Sequence, residues 1–577
     1  MIISPEFFNS DIPLIEYPRQ QFMRDSYFSL NGDWDYAIRK DGKIPNDFDG
    51  KIVVPYSPES DLSGVKKQLQ KDEFLFYRKR FILPQGFNVG KVLLNVGACD
   101  QVCNVYLNGN FVGNHEGGYL SFTLELTNYL TEDENELIII VTDDASSDVY
   151  GRGKQKYKRG GIWYTATSGI WQSIWIESVP TNHVSSLTLS PEYDTKKLFV
   201  TCKSSSKGSV KVDIFDGENL ITSEIGEANE KIKLDVSNCK EWDTVSPELY
   251  RVVVTYGDDK VESYFGLRKF SSIVIDGKKY FALNNKPIFH NGLLDQGYWH
   301  DGIYTPKTNK AMYDEIKAVK DLGFNMLRKH IKVEPMLWYY YCDILGILVW
   351  QDMINGGGEY PFYRIALCPF FNLKLDDSNY KKMRRSEESR EWYYKEAYAL
   401  IEQLFNCVSI CLWTPFNECW GQFDALKTWE KLRKFDPSRL YDHASGWQDK
   451  GGGDLQSRHI YFRKIKLKND NRRILALTEF GGYSYAHEGR VFTDKKFGYK
   501  VFKDAKKVQD AYEKLYFTEI IPAIKNDGLS ATVYTQLTDV EDEINGLFTY
   551  DRILKLDKDF IKKVNGEVYK AFFNSIK

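Results

Sequence analysis

Several classes of protein are excluded by what this chain of 577 residues does not contain. No apolar run approaches the roughly 18 residues of a membrane span. The start, Met1 to Arg24, carries Pro5, Asp11 and Pro13 where a secretion signal needs an unbroken apolar stretch, so a cytoplasmic location is expected. No charge excess exists either: 77 Lys and Arg face 80 Asp and Glu, and a net charge of -3 gives no electrostatic footprint for nucleic acid. The nine cysteines are odd in number and form no Cys-x-x-Cys pair, which points to reduced core residues rather than a disulfide framework or a structural zinc site. There is no Gly-x-Ser-x-Gly elbow and no phosphate-binding Gly-Lys-Ser/Thr loop. His115-Glu116 and His487-Glu488 lack the second histidine of a zinc-protease helix. The acidic run Asp539 to Glu543 lacks the glycine of a calcium loop and reads as a solvated active-site loop, or else as a group with a direct substrate or cation role.

What the chain does contain is concentrated in two stretches, Leu412 to Gly421 and Ile474 to Gly482. The first follows a β-branched apolar run from Val408 to Trp413, too short for a helix, that Pro415 stops; the second runs apolar from Ile474 to a glycine pair. Both read as buried parallel strands, and each delivers a glutamate, Glu418 and Glu479, at its carboxyl end. Paired carboxylates at such ends suit glycoside hydrolysis, in which one protonates the leaving oxygen and the other attacks the anomeric carbon. The aromatic content of 15% fits sugar stacking, but β-sandwich cores consume aromatics equally well.

The expected organisation is multidomain. Residues 1–180 show strand-like runs separated by Gly, Asn and Asp, including Asn108-Gly109-Asn110, and predict an all-β sandwich, which the family resemblance given below implies is a jelly roll. Residues 181–270 predict an immunoglobulin-like β-sandwich. From 271 to 577, helical periodicity at Lys310 to Leu322 and Met336 to Leu345 alternates with short apolar runs, and eight candidate strands predict a (β/α)8 TIM barrel. Polar residues at those strand ends are the site candidates: Arg328, His330, Trp350, Asp352, Asn417, Glu418, His443, Tyr461, Glu479, Tyr534, Gln536 and Asp539.

The chain resembles glycoside hydrolase family 2 over nearly its whole length. Asn417-Glu418 matches the family's acid/base motif, Glu479 falls at its nucleophile, and Gly160-Gly161-Ile162-Trp163 to Gly169-Ile170-Trp171-Gln172 is similar to its sugar-binding-domain signature. The resemblance implies a retaining mechanism, with Glu479 as nucleophile, kept ionised by a cation such as Arg328, and Glu418 as acid/base, kept protonated by burial among Trp413, Phe416 and Trp420. A carboxyl separation of about 5 Å follows. Asn417 would donate to the sugar 2-hydroxyl, or else satisfy its own turn. Tyr461 resembles the family's tyrosine and would hold a Glu479 oxygen. Trp350 and Tyr534 are candidate ring platforms, whereas Trp163, Trp171 and Trp413 read as core. Arg328 and His330 also fit a charge network around Asp352 and Glu479.

The acids Glu541, Asp542 and Glu543 stand where uronide-cleaving members carry Asn-x-Lys, which tilts the expected sugar toward a neutral one, first a β-galactoside, with β-mannoside, β-glucuronide and α-L-arabinopyranoside behind it. No cofactor is required, although some relatives use Mg²⁺ or Na⁺ and no complete ligand set for either is legible. The partner is a carbohydrate, not nucleic acid or membrane, and a homo-oligomer is left open. Two other readings remain, a catalytically silent carbohydrate-binding protein and a transglycosylase.

Overall fold

The computed structural model describes residues 5–359 and 375–577. The amino-terminal part is a β-sandwich. Its six-stranded sheet orders 50–54, 32–39, 74–81, 135–142, 102–107 and 110–116, and it faces a sheet of 28–29, 174–179, 91–96 and 122–125. Alternating residues such as Trp34, Tyr77, Leu94, Val105 and Ile139 fill the space between them, as the period-two pattern dictates. A second sandwich packs a three-stranded sheet of 186–192, 197–203 and 231–235 against a four-stranded one of 219–227, 209–216, 250–256 and 259–265. An antiparallel hairpin, 270–275 with 278–283, then leads into the barrel.

The barrel strands are β1 (His290–Asp295), β2 (Met326–Lys329), β3 (Leu348–Asp352), β4 (Ile410–Thr414), β5 (Leu440–Tyr441), β6 (Leu455–Ile460), β7 (Ile474–Gly481) and β8 (Ala531–Thr535). All are parallel and paired in the order β5-β4-β3-β2-β1-β8-β7-β6, so among the described residues the barrel is closed everywhere except between β5 and β6. Helices alternate with them, including α1 (Asn309–Asp321), capped by the Thr308 side chain on Ala311 N, and α2 (Met336–Leu345), ended by left-handed Gly346. The hairpin's Phe281 stacks on His290 at 4.0 Å and closes the amino-terminal floor. Among the described residues no helix is long and apolar enough to cross a membrane, and eight cysteines are buried and free.

One loop of the first sandwich, residues 151–165, lies across the carboxyl-terminal mouth of the barrel. The Arg152 and Gly153 amides donate to Asn355 O at 2.9 and 3.2 Å, and Thr165 N donates to Glu541 Oε1 at 3.0 Å. Gly153 has φ +59°, and a Cβ there would meet Ile331 O at 2.9 Å, so the close approach of the two backbones requires glycine.

Candidate active site

The site is built from the ends of β2, β3, β4, β6 and β7. After β4, Pro415 ends the ladder and the chain turns so sharply that Glu418 and Cys419 take φ values of 49° and 65°. Backbone bonds hold that turn against the segment after β5, Glu418 N to Ser445 O at 2.9 Å and Ser445 N to Phe416 O at 2.8 Å. On the other side, register shifts fall between Arg458 and His459 on β6 and between Leu477 and Phe480 on β7, placing His459 opposite Glu479. Irregularities of this kind re-aim side chains.

Arg328 is the hub. Its guanidinium donates to Asp352 through Nε and Nη2, each at 3.1 Å, to Glu479 Oε1 at 3.2 Å and to Asn417 Oδ1 at 2.8 Å. His330 Nδ1 is 2.8 Å from Asp352 Oδ2. Tyr461 donates to the other Glu479 oxygen at 2.5 Å. Because Arg328 occupies the Asn417 oxygen, the amide is oriented with its Nδ2 buried and, among the described residues, unpartnered, a spare donor beside Glu418. A nearest carboxylate oxygen of Glu418, a nitrogen of His459 and an oxygen of Glu479 all lie within 4.8 Å of one another. Their donor types are also those of a cation site, but His459 Nδ1 and Glu418 Oε1 are 2.6 Å apart, a hydrogen bond.

Burial pushes the Glu418 carboxyl up to about 7; Lys154 and Arg328 oppose the shift and Glu543 adds to it. Burial lowers His459 to about 4, so the imidazole is neutral. Below about pH 7, where burial keeps Glu418 protonated and His459 neutral, the carboxyl donates to Nδ1 and Nε2–H donates to Ser445 Oγ, 3.0 Å away. Glu479 is raised as well. Its burial and the neighbouring Glu418 outweigh Arg328, His459 and Tyr461, so the cation favours the ionised form against a desolvation that works the other way.

Seven sequence candidates thus converge: Glu418, Glu479, Asn417, Arg328, His330, Asp352 and Tyr461. The others do not join them. Trp350 is fully buried, turns toward the barrel floor and donates to His290 Nδ1 at 3.0 Å, so it offers no ring platform. Tyr534 points outward, edge-on to Phe480 at 5.6 Å and Tyr512 at 5.2 Å. His443 accepts from Lys450 N at 3.1 Å. Gln536 bonds to Gln296 and Asn545. Asp539 pairs with buried Lys555 at 2.8 Å.

Two further expectations change. The run Asp539 to Glu543 is not a solvated loop: Asp542 pairs with Arg159 at 2.8 Å, Glu541 accepts from Thr165, and Glu543 accepts from Tyr164 Oη and Asn545 Nδ2. These acids are occupied in docking the sandwich loop, which removes the repulsion argument for a neutral sugar. Trp163 is half-buried rather than core, packed 5.2 Å from Trp420 at the mouth. The missed residues are His459, which sits two positions before Tyr461 on the same strand face, Lys154, and Tyr499, stacked 3.9 Å from Tyr461.

A strand-end pair of glutamates on a (β/α)8 barrel, roofed by a β-sandwich loop, defines the glycosidase-type class of architecture. Residues 274–572 match the family model described as "Glycosyl hydrolases family 2, TIM barrel domain", and residues 50–169 match "Glycosyl hydrolase 2 galactose-binding domain-like". The chain belongs to glycoside hydrolase family 2. Similar curated proteins include a beta-galactosidase of Alteromonas mediterranea, 24% identical over 61% of this chain and 33% of its own length, and one of Photobacterium profundum, 23% identical over 74% and 40%. The chain therefore spans about a third to two-fifths of the curated relatives it matches. Among solved structures, a beta-glucuronidase of an uncultured Clostridium superposes with TM-score 0.74 at 16% identity, over 95% of this chain and 99% of that one. A beta-galacturonidase of Eisenbergiella tayi, bound to galacturonate, superposes with TM-score 0.70 at 16% identity, covering 96% and 99%.

Proposed function

We propose that the protein is a retaining, exo-acting β-glycosidase. The observation that supports this most is the approach of Glu418 and Glu479 oxygens to within 4.8 Å, closer than the roughly 6.5–9.5 Å that an inverting enzyme needs to seat a water between its carboxyl groups. Glu479 attacks the anomeric carbon as the bond to the leaving oxygen breaks, and that oxygen takes the Glu418 proton. Glu418 then removes a proton from water, whose oxygen displaces Glu479. Arg328 and Tyr461 hold one Glu479 oxygen each. Asn417 Nδ2 donates to the sugar hydroxyl next to the reacting carbon. Proton transfer runs through carboxyl groups, and these steps require no cofactor.

The test is hydrolysis of 4-nitrophenyl β-galactoside, β-glucoside, β-glucuronide, β-mannoside and α-L-arabinopyranoside by wild type, Glu418→Ala and Glu479→Ala. Wild type cleaves at least one. Glu479→Ala abolishes turnover, and azide restores it with inverted product. Glu418→Ala slows glycosyl-enzyme breakdown by about 10²-fold or more. Undiminished turnover by Glu479→Ala contradicts the reading.

A further inference from the structure

The loop that roofs the site is unusually basic for a chain with net charge -3: Arg152, Lys154, Lys156, Lys158 and Arg159 fall within eight positions. Most of these charges are used locally. Arg152 donates to Ser147 O at 2.5 Å, Arg159 pairs with Asp542, and Lys156 lies 4.4 Å over the Trp163 ring with Glu359 at 4.0 Å. Lys154 differs. It is 6% exposed, and its Nζ lies 5.6 Å from the Tyr164 ring and 5.5 Å from that of Trp420, two residues beyond Glu418. Among the described residues no carboxylate is within ion-pair distance of it. The nearby acids are otherwise engaged, Glu543 by Tyr164 and Asn545, and Glu418 by His459.

An ammonium at the end of a largely buried side chain, between two aromatic faces and with no anion in ion-pair distance, is costly unless a ligand supplies one. The backbone fixes it there: Gly153 N is bonded to Asn355 O, and Lys154 O accepts from Tyr164 N at 3.0 Å. Its charge reaches both sides of the pocket, since it opposes the upward shift of Glu418 and adds to the depression of His330.

We infer that Lys154, contributed by the amino-terminal sandwich and not by the barrel, is the specificity-determining cation of this site and selects a glycoside whose terminal sugar carries a carboxylate. The inference rests on the glycosidase reading above and names its substrate class. The sandwich loop thus reads the charge of the sugar while the barrel performs the chemistry. A carboxylate at the ammonium replaces lost hydration with a charge-assisted hydrogen bond, and a neutral hydroxymethyl group cannot.

The experiment compares matched pairs, 4-nitrophenyl β-D-glucuronide with β-D-glucoside and β-D-galacturonide with β-D-galactoside, on full-length wild type, Lys154→Met and Lys154→Arg. In wild type, kcat/KM for a uronide exceeds that for its neutral partner. Lys154→Met lowers that ratio by about 10–10²-fold through KM and kcat together, and Lys154→Arg restores part of it. Because Lys154→Met could fold poorly, wild type is also assayed against salt, where KM rises with ionic strength for the uronide and not for the neutral glycoside. Preference for the neutral partner, or a ratio unchanged in Lys154→Met, overturns the inference and leaves the glycosidase reading standing. Failure of wild type to cleave any of the four, with no covalent label on Glu479 from any of the matching 2-deoxy-2-fluoro glycosides, overturns both.

Discussion

In the proposed mechanism Glu418 and Glu479 carry the same functional group and opposite duties, and their environments separate them. Glu418 meets a neutral imidazole and aromatic rings, while Glu479 meets a guanidinium and a phenol. The acid must be protonated in the free enzyme, so the alkaline limb of kcat/KM follows its pKa, which lies at about 7, and activity falls as pH rises through that value. The negative charge of Glu543 raises that pKa. Removing it in Glu543→Gln stabilises the ionised form of Glu418, lowers its pKa, and moves the alkaline limb to lower pH. A pH–rate profile of the variant checks the sign; a limb that stays put or moves upward contradicts the assignment of Glu418 as the acid.

At the scale of elements, what the sequence revealed and what it hid have separate physical causes. Helix Met336–Leu345 coincides with the range its period marks and is ended by Gly346. The barrel strands were legible because burial on both faces writes nearly continuous apolar runs. Strand ends then nominated Arg328, Asp352, Asn417, Glu418, Tyr461 and Glu479, which the fold brings together. The same rule failed for Trp350 and Tyr534. Trp350 lies one inward layer below Asp352, and Tyr534 faces a helix instead of the lumen, distinctions that depend on strand stagger rather than on residue type. His459 could have been found, because it alternates with Tyr461. Lys154 could not, because its place depends on a sandwich loop docking across a distant barrel.

At the scale of the molecule, the two sandwiches are tied to each other by buried charge as well as by apolar packing. Arg24 bonds to Asp259 of the second sandwich through Nε and Nη2, both at 2.9 Å, and lies 3.3 Å from Glu177 of the first, with side chains 4%, 2% and 0% exposed. Removing one partner of such a set leaves uncompensated charge. Arg24→Met is therefore expected to cost about 3–5 kcal/mol. Calorimetry should show the sandwich transition moving to lower temperature; an unchanged thermogram would exclude this role. The docking matters for function because the sandwich loop forms the roof of the pocket and presents Lys154 to it.

Two carboxyl groups on one barrel rim acting in double displacement leave their mark on the stereochemistry of the first product. Proton NMR of the hydrolysis of whichever 4-nitrophenyl glycoside the enzyme cleaves best, recorded before mutarotation, should show the anomer of the substrate's own configuration appearing first. First appearance of the opposite anomer would mean a single displacement by water, and would contradict the assignment of Glu479 as a covalent nucleophile.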